Sequence, residues 1–406
     1  MKTLKNTVFS KTAAVPPSKS EAQRYIICAA FSDGPTEIYL PSSSLCDDIK
    51  ACISAVCALG AEAEISDEYI RITPAKLPLD KARNYSVNFG ESGTAYRFLL
   101  PIIKYSGISA EIITEGTLGK RPVGELLFSA ENLAENCDIS VDGTVSSQYV
   151  SGLLYALCFT GGTLTVTGKT VSSPYIYMTM QALRLFGAHI VNNGCSFFSV
   201  AKIERFASPG KVCVSGDWSA AAFPLAAGLI GRNPVTVCGL STESVQGDAA
   251  IIGILRSFGG KIEITDEGIT SYPSALEAPG EIDMQSYPDL VPAVALCGAV
   301  AKGETVLSGI NHLRYKESNR IDGICRLISS AGGNIVCRSL PYEPLLVING
   351  VKKLCGAHAE TSGDHRIAMA AAVISLAADG ETVIDDSDCI SKSWPEFMNY
   401  IKEDGK

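Results

Sequence analysis

Residues 314–320, RYKESNR, set three cations and one carboxylate at the mouth of a segment whose apolar positions Ile321, Ile324, Cys325 and Ile328 share one helix face. Cations in the first turn of a helix oppose its dipole by about 0.3–1 kcal/mol each, and a bound anion would reverse that sign. The pattern recurs along the chain. PPSKSEAQRYIICAAF carries Lys19 and Arg24 behind Ser18 and Glu21, a capping-box spacing. FGESGTAYRFLLPI enters a helix from a glycine-bearing turn with Arg97 early, and GTLGKRPVGELL sets Lys120 and Arg121 against Pro122, which suits a first helical position. SGDHRIAMA, capped by Ser362 or Asp364, brings His365 and Arg366, and CISKSWPEF brings Lys392 ahead of a short terminal helix. VDGTVSSQYV and VSSPYIYM open helices with Ser146, Ser147 and Gln148, and with Ser172 and Ser173. Singly, each is a cap or a solvated charge. Together, Lys19, Arg24, Arg97, Arg121, Lys316, Arg320, Arg366 and Lys392 predict a site for one or more small, multiply charged anions. Arginine suits bidentate carboxylate or phosphate binding, and serine hydroxyls suit phosphate oxygens.

The elements that must position these side chains form a repeat. An apolar helical stretch closing on glycine and followed by a β-rich run occurs at Gly34, Gly107, Gly161, Gly231, Gly303 and Gly380, in steps of 73, 54, 70, 72 and 77 residues. A second series, at Gly60, Gly187, Gly259 and Gly332, interleaves with the first, and the segment around residue 134 reads as a member without glycine. Each glycine is expected to take φ > 0 at a helix end. The unit is therefore strand, helix, strand, helix, strand, strand, and a break near residues 213–216 divides six units into two groups of three. The fold class expected is α/β, two similar domains of three βαβαββ repeats joined by a hinge, with helix starts converging on an interdomain cleft. The boundaries expected are 17–214 for one domain and 1–16 plus 215–406 for the other.

Bulk properties narrow the function. A chain of 406 residues exceeds one ordinary core, and 19% charged with 46% apolar residues describes a folded, soluble protein. The N-terminus lacks a signal-peptide core, and apolar stretches such as 290–301 run to about 12 residues, too short to span a bilayer, so a cytoplasmic protein without a membrane partner is expected. A net charge of −9 argues against nucleic-acid binding. The four histidines are never at metal-ligand spacing, so no metal is expected; the fourteen cysteines, none in a C-x-x-C pair, read as small core residues of a reducing compartment.

In order and spacing, PSKSEAQR, GTAYR, KRPVGELL, SSQYVSGLL, SSPY, YPDLVPAVA, RYKESNRI, DHRIAMA and SKSWPEF resemble the motifs of the EPSP synthase (3-phosphoshikimate 1-carboxyvinyltransferase) family over essentially the whole chain. The KES-x-x-R and DHR-x-A-M segments are the most specific. The resemblance implies transfer of the enolpyruvyl group of phosphoenolpyruvate to the 5-hydroxyl of shikimate 3-phosphate, with release of phosphate, in chorismate and aromatic amino-acid biosynthesis. It implies two three-repeat domains (an inside-out α/β barrel) closing on substrate, no cofactor, and small-molecule substrates as the partners of a monomer. Carried over, the shikimate 3-phosphate site comprises Lys19, Ser20, Arg24, Ser146, Ser147, Gln148, Ser172, Asp289, His312 and Lys316. The phosphoenolpyruvate site comprises Lys19, Gly93, Arg121, Gln148, Arg320, Arg366 and Lys392. Asp289 and Glu317 serve as acid and base, with Lys316 assisting.

Two positions depart from the family pattern: Glu91 stands where asparagine is common in the G-N-x-G-T turn, and His312 stands at another position often asparagine. Two other readings compete. A UDP-N-acetylglucosamine enolpyruvyl transferase would share the fold, but that family typically carries a reactive cysteine in the loop corresponding to EGTLGKRPV, where this chain has Leu118 and Gly119. A non-catalytic clamp for polyanions would need basic surface outside the site, which the acidic balance disfavours.

Overall fold

The computed structural model describes residues 1–40, 45–133, 136–339 and 343–404; residue 134, at the centre of the expected glycine-less repeat, lies outside them. The chain forms two compact units, Pro17–Ser215 and Met1–Pro16 with Gly216–Lys406. Each has its own buried apolar core.

Among the described residues, the 17–215 unit contains six α-helices: α1 (Lys19–Ala30), α2 (Asp47–Ala58), α3 (Gly93–Ser106), α4 (Gly124–Asn132), α5 (Ser147–Thr160) and α6 (Ser173–Leu185). α1, α3 and α5 are buried almost all round, α3 and α5 on largely apolar sequences and α1 with its buried Lys19, Glu21, Gln23 and Arg24 each paired or hydrogen-bonded, whereas α2, α4 and α6 bury one face. Two four-stranded sheets share one design, a parallel pair extended by an antiparallel hairpin. In one, Thr36–Tyr39 runs parallel to Lys211–Cys213 and pairs with the hairpin Glu62–Ile65/Tyr69–Thr73. In the other, Gly162–Thr167 runs parallel to Asp138–Asp142 and pairs with the hairpin Ile190–Asn193/Phe197–Val200. The middle repeat keeps only its parallel pair, Asn84–Asn88 with Ser109–Ile113. In the other two repeats the hairpin follows the outer helix, α2 or α6, whereas α4 is followed among the described residues directly by the strand Asp138–Asp142. The missing hairpin accounts for the one short glycine step, 54 residues.

The second unit contains α7 (Trp218–Ile230), α8 (Ile251–Ser257), α9 (Val291–Val300), α10 (Arg320–Ser330) and α11 (His365–Ile374). Again α7, α9 and α11 are the enclosed helices; every residue of α9 from Val291 to Ala299 is buried. Its sheets repeat the design, and the N-terminal segment completes two of them. Thr12–Ala14 runs parallel to Val235–Cys238, and Lys2–Lys5 pairs antiparallel with Glu381–Ile384. The 17–215 segment is thus inserted between the strand Thr12–Ala14 and α7. Eight of the ten repeat glycines adopt positive φ, for example Gly107 at 64° and Gly332 at 74°. Gly231 instead ends α7 in extended backbone. No helix among the described residues is long and apolar enough to cross a membrane, and all fourteen cysteines are free thiols.

Candidate active site

In the 17–215 unit, the starts of the three inner helices carry most of the expected anion ligands. Ser18 caps α1 by accepting from the Glu21 amide. The expected capping box is only half formed, because Glu21 turns away to accept from the backbone and hydroxyl of Ser215 and from the Tyr25 hydroxyl. Lys19, buried, pairs with Asp48 at 2.8 Å. Gln23 joins that pair to the next helix, donating to the Asp48 carbonyl and to Ser92 Oγ at 2.7 Å, and Ser92 caps α3. Arg24 is fully enclosed. It donates to Thr179 Oγ1 (2.9 Å), the Tyr175 carbonyl (2.9 Å) and the Ser20 carbonyl (2.5 Å), with its guanidinium over the Phe98 ring, so it laces α1 to α6.

The start of α3 meets the start of α5. Arg97 Nη1 donates to Gln148 Oε1 at 2.6 Å, and Gln148 Nε2 donates to Thr94 Oγ1. A methyl at Gly93 would lie 3.0 Å from Arg121 Nη1 and 3.4 Å from Arg97 Nη1, so the absence of a side chain lets two guanidinium groups approach the helix start. The close α3–α5 approach has a local cause. Pro101 has no N–H for the Arg97 carbonyl four residues earlier, and Gly152 of α5 faces that carbonyl, where a Cβ would sit 2.2 Å away. Arg121 Nη2 reaches Thr117 Oγ1 at 3.2 Å. Pro122 does not begin a helix as expected: Arg121 before it is extended, α4 starts at Gly124, and the Pro122 carbonyl accepts from the Tyr149 hydroxyl. Ser146 caps α5 through the Gln148 amide, and Ser147 is buried at its first position. Ser172 stands in left-handed backbone (φ 52°) ahead of α6 with its buried hydroxyl making no hydrogen bond to a described residue. Glu91 lies over Gly116, whose Cβ would fall 2.1 Å from Glu91 Oε1.

The second unit gathers the remaining candidates around Arg320, whose side chain is 1% exposed. Its Nη1 donates to Asp289 Oδ1 at 2.5 Å, its Nη2 to Glu317 Oε2 at 2.6 Å and its Nε to Asp364 Oδ2 at 2.9 Å. Arg366, also buried, lies 3.5 Å from Asp289 Oδ2. Asp364 caps α11 by accepting from the Arg366 amide and also receives Ser318 Oγ. Lys392 closes one short 3-10 helix, Asp388–Lys392, ahead of the short terminal 3-10 helix Phe397–Tyr400, and donates to the Gly363 carbonyl at 2.7 Å. Lys316 and Glu317 lie in the connection before α10 rather than within it, because Asn319 takes the cap position and donates to Asp322. Sequence reasoning missed Asp48 and Asp248 and saw Asp364 only as a cap. Acidic residues at helix starts opposite the cations were the available signal.

The field in this unit is uneven. Burial alone would raise the Asp289 carboxyl, but Arg366, Arg320 and Lys316 overcome it and hold Asp289 well below the usual carboxylate range. Asp248, buried and accepting from the Ser219 hydroxyl, goes the other way, to about 7, through burial and the nearby Asp289 charge. His312 is lowered to about 3 by burial and by Lys316, so its imidazole is neutral.

These shifts carry opposite stability signs. With Asp248 titrating at about 7 when folded against about 3.9 unfolded, the native state holds the extra proton in between. Its stabilising contribution is full below pH about 4 and is lost as pH rises through about 7. Asp248→Asn is expected to flatten that fall, narrowing the drop in melting midpoint between pH 5 and 8; an unaltered drop would reject the assignment. His312, at about 3 folded and about 6.5 unfolded, gives a contribution that is full above pH about 6.5 and declines as pH falls toward 3. His312→Asn is expected to raise the relative melting midpoint at pH 5 more than at pH 8. Equal shifts at both values would refute it.

Two α/β units of one repeat design, with cationic helix starts in one and an arginine–carboxylate cluster in the other, are the fold of the enolpyruvyl transferases. The enolpyruvyl transferase NikO of Streptomyces tendae superposes with a TM-score of 0.75 at 17% identity, over 97% of this chain and 94% of that one. EPSP synthase of Acinetobacter baumannii gives 0.73 at 22% identity, over 97% and 95%. The family model for EPSP synthase (3-phosphoshikimate 1-carboxyvinyltransferase) matches residues 5–140 and 130–401. A 3-phosphoshikimate 1-carboxyvinyltransferase of Clostridium botulinum (strain Alaska E43 / Type E3) is 33% identical over 96% of this chain and 93% of its own length. One of Methanocorpusculum labreanum is 32% identical over 96% and 95%. The chain belongs to the EPSP synthase family.

Proposed function

We propose that the protein transfers the enolpyruvyl group of phosphoenolpyruvate to the 5-hydroxyl of shikimate 3-phosphate, releasing phosphate, in the shikimate pathway. Family membership supports the reaction. The observation that carries the division of labour is the contrast between the two sets of side chains. In the 17–215 unit the hydrogen bonds of Arg24 and Arg121 go to neutral oxygens of described residues. In the other unit Arg320 is shared among three carboxylates. The first set, with Lys19, Ser146, Ser147, Gln148 and Ser172, suits phosphate and carboxylate groups; the second suits proton transfer, with Arg320, Arg366 and Lys392 toward phosphoenolpyruvate.

Breaking the C–O bond of phosphoenolpyruvate requires protonation of C3, so that C2 becomes electrophilic, while a base takes the proton of the attacking hydroxyl. The tetrahedral adduct then loses phosphate as C3 returns a proton and the double bond re-forms. Acid and base exchange roles between the two steps. Asp289, held strongly ionised by Arg366 and Arg320, is a weak base in the free protein. A substrate anion on those two arginines offsets their charge and lifts the Asp289 carboxyl toward a working range. Substrate binding thereby prepares the base. Glu317, on the same guanidinium, and Lys316 complete the proton-handling set.

A phosphate-release assay decides the function. Release is expected only when shikimate 3-phosphate and phosphoenolpyruvate are both present. No release from the folded protein, or release driven instead by UDP-N-acetylglucosamine, would overturn the reading.

A further inference from the structure

The inner helices of the 17–215 unit also have far ends. α1, α3 and α5 stop at Phe31, Gly107 and Gly161, and a cavity of about 490 Å³ opens there. Its wall is apolar, with Phe31, Leu79, Ile102, Phe159 and Ile203, and the rings of Phe31 and Phe159 meet edge to face at 6.1 Å. Its polar lining is biased toward positive charge: Lys81, Lys202 and Arg205 against the single carboxylate of Glu204.

The ordinary role of such cations is to hold helix and loop ends. Arg205 does that, donating to the carbonyls of Ser32, Ala75 and Leu77. Lys81 and Lys202, both exposed and free to be solvated, do not; neither makes a hydrogen bond or ion pair with a described residue. Lys81 Nζ lies above the α3 terminus, 3.4 Å from where a Gly107 Cβ would be, and Lys202 packs over Gly161 at the end of α5. Two available ammonium groups beside an aromatic wall, in a volume typical of small-molecule sites, define a ligand with a flat apolar body and one anionic end.

A cavity at this end is partly a property of the repeat. The second unit has one of about 720 Å³ beside the ends of α7 and α9, with Lys302 and Lys352 in its lining, but that lining contains no aromatic ring. The cavity is also distinct from the anion-binding helix starts: α3 has 14 residues, which at about 1.5 Å per residue separates its two ends by about 21 Å.

We propose that this cavity binds a small aryl carboxylate, its ring against the accessible edges of Tyr105, Phe159 and Ile203 and its carboxylate on Lys81 and Lys202. The proposal does not depend on the reaction catalysed. Calorimetric titration of the full chain with 3-phenylpropionate is expected to give one saturable site with Kd on the order of 0.1–1 mM, and benzyl alcohol, which lacks the charge, about tenfold weaker binding. The Lys81→Gln/Lys202→Gln double variant should lose about tenfold or more in affinity for the acid, with its melting midpoint and basal turnover kept. A bulkier Ile203→Trp, verified as folded by circular dichroism, should block both probes. L-phenylalanine distinguishes the source of the ligand. Binding at least as tight as 3-phenylpropionate assigns it to an aromatic amino acid whose ammonium Glu204 receives, and weaker binding assigns it to a simple aryl acid; either supports the site. Absence of binding at about 10 mM, retention of affinity in the double lysine variant, or loss of affinity in Arg121→Ala instead, which would put the acid at the anion site, overturns it.

Discussion

Arg320→Met is expected to lower the melting midpoint of the protein on the order of 10 °C and to abolish turnover together. The guanidinium is almost fully enclosed and is shared by Asp289, Glu317 and Asp364, the last wholly buried. Removing it leaves three carboxylates around one apolar side chain, and breaking a buried ion pair from one side costs about 3–5 kcal/mol. In a unit of this size each kcal/mol moves the midpoint by about 2–4 °C. Arg320→Lys should recover only part of the loss, because an ammonium is a point charge with no planar fork to serve three acceptors. The electrostatic origin has its own signature. As pH falls from 7 to 4 the orphaned carboxylates take up protons, so the deficit against wild type shrinks. A deficit that stays constant over that range, or a variant that melts with wild type, would refute the account.

That cluster also marks what a sequence reveals of such a site and what it withholds. The helix starts were legible because caps and apolar periodicity are local: Ser18, Ser92, Ser146 and Asp364 all accept from amides two or three residues on. Glycine at helix ends was legible for the same reason, since a positive φ is a demand on one residue. Partners were not. Arg320 meets Asp289 across 31 positions and Asp364 across 44, and nothing in either segment alone records that the repeats bring them together. Lys19 meets Asp48 in the same way. The cations read as opposing their helix dipoles are therefore partly neutralised by acids from neighbouring repeats, and the argument for bound anions is strongest for Arg24 and Arg121, whose hydrogen bonds go to neutral oxygens of described residues. The missing hairpin was in view as the short step of 54 residues and was not read. Constant spacing suggests a repeat, and a departure from it is equally structural. Pro122 shows the converse failure, a sound local preference for a helix start overridden when its carbonyl is taken by Tyr149.

Asp289→Asn should reduce kcat by about 10²–10⁴-fold, the range for losing a positioned acid or base, with a much smaller change in KM for shikimate 3-phosphate. The amide keeps the shape and can still accept from Arg320, so a purely positioning role would leave kcat within about tenfold of wild type. The stability consequence has a definite window. Asp289 is held below the usual carboxylate range by Arg366, Arg320 and Lys316, which outweigh its burial. Its contribution is thus full above the unfolded value near pH 4 and is lost as pH falls through the depressed folded value. The asparagine variant should therefore melt below wild type at pH 7 and approach it below about pH 4. Lys316→Met separates chemistry from folding, because Lys316 is half-buried rather than enclosed. It should lose turnover by a comparable factor, with a far smaller change in melting midpoint than Arg320→Met. If instead kcat survives in both variants while KM rises, Asp289 and Lys316 bind substrate without moving protons, and the acid–base work must fall to Glu317 on the other arm of the Arg320 guanidinium.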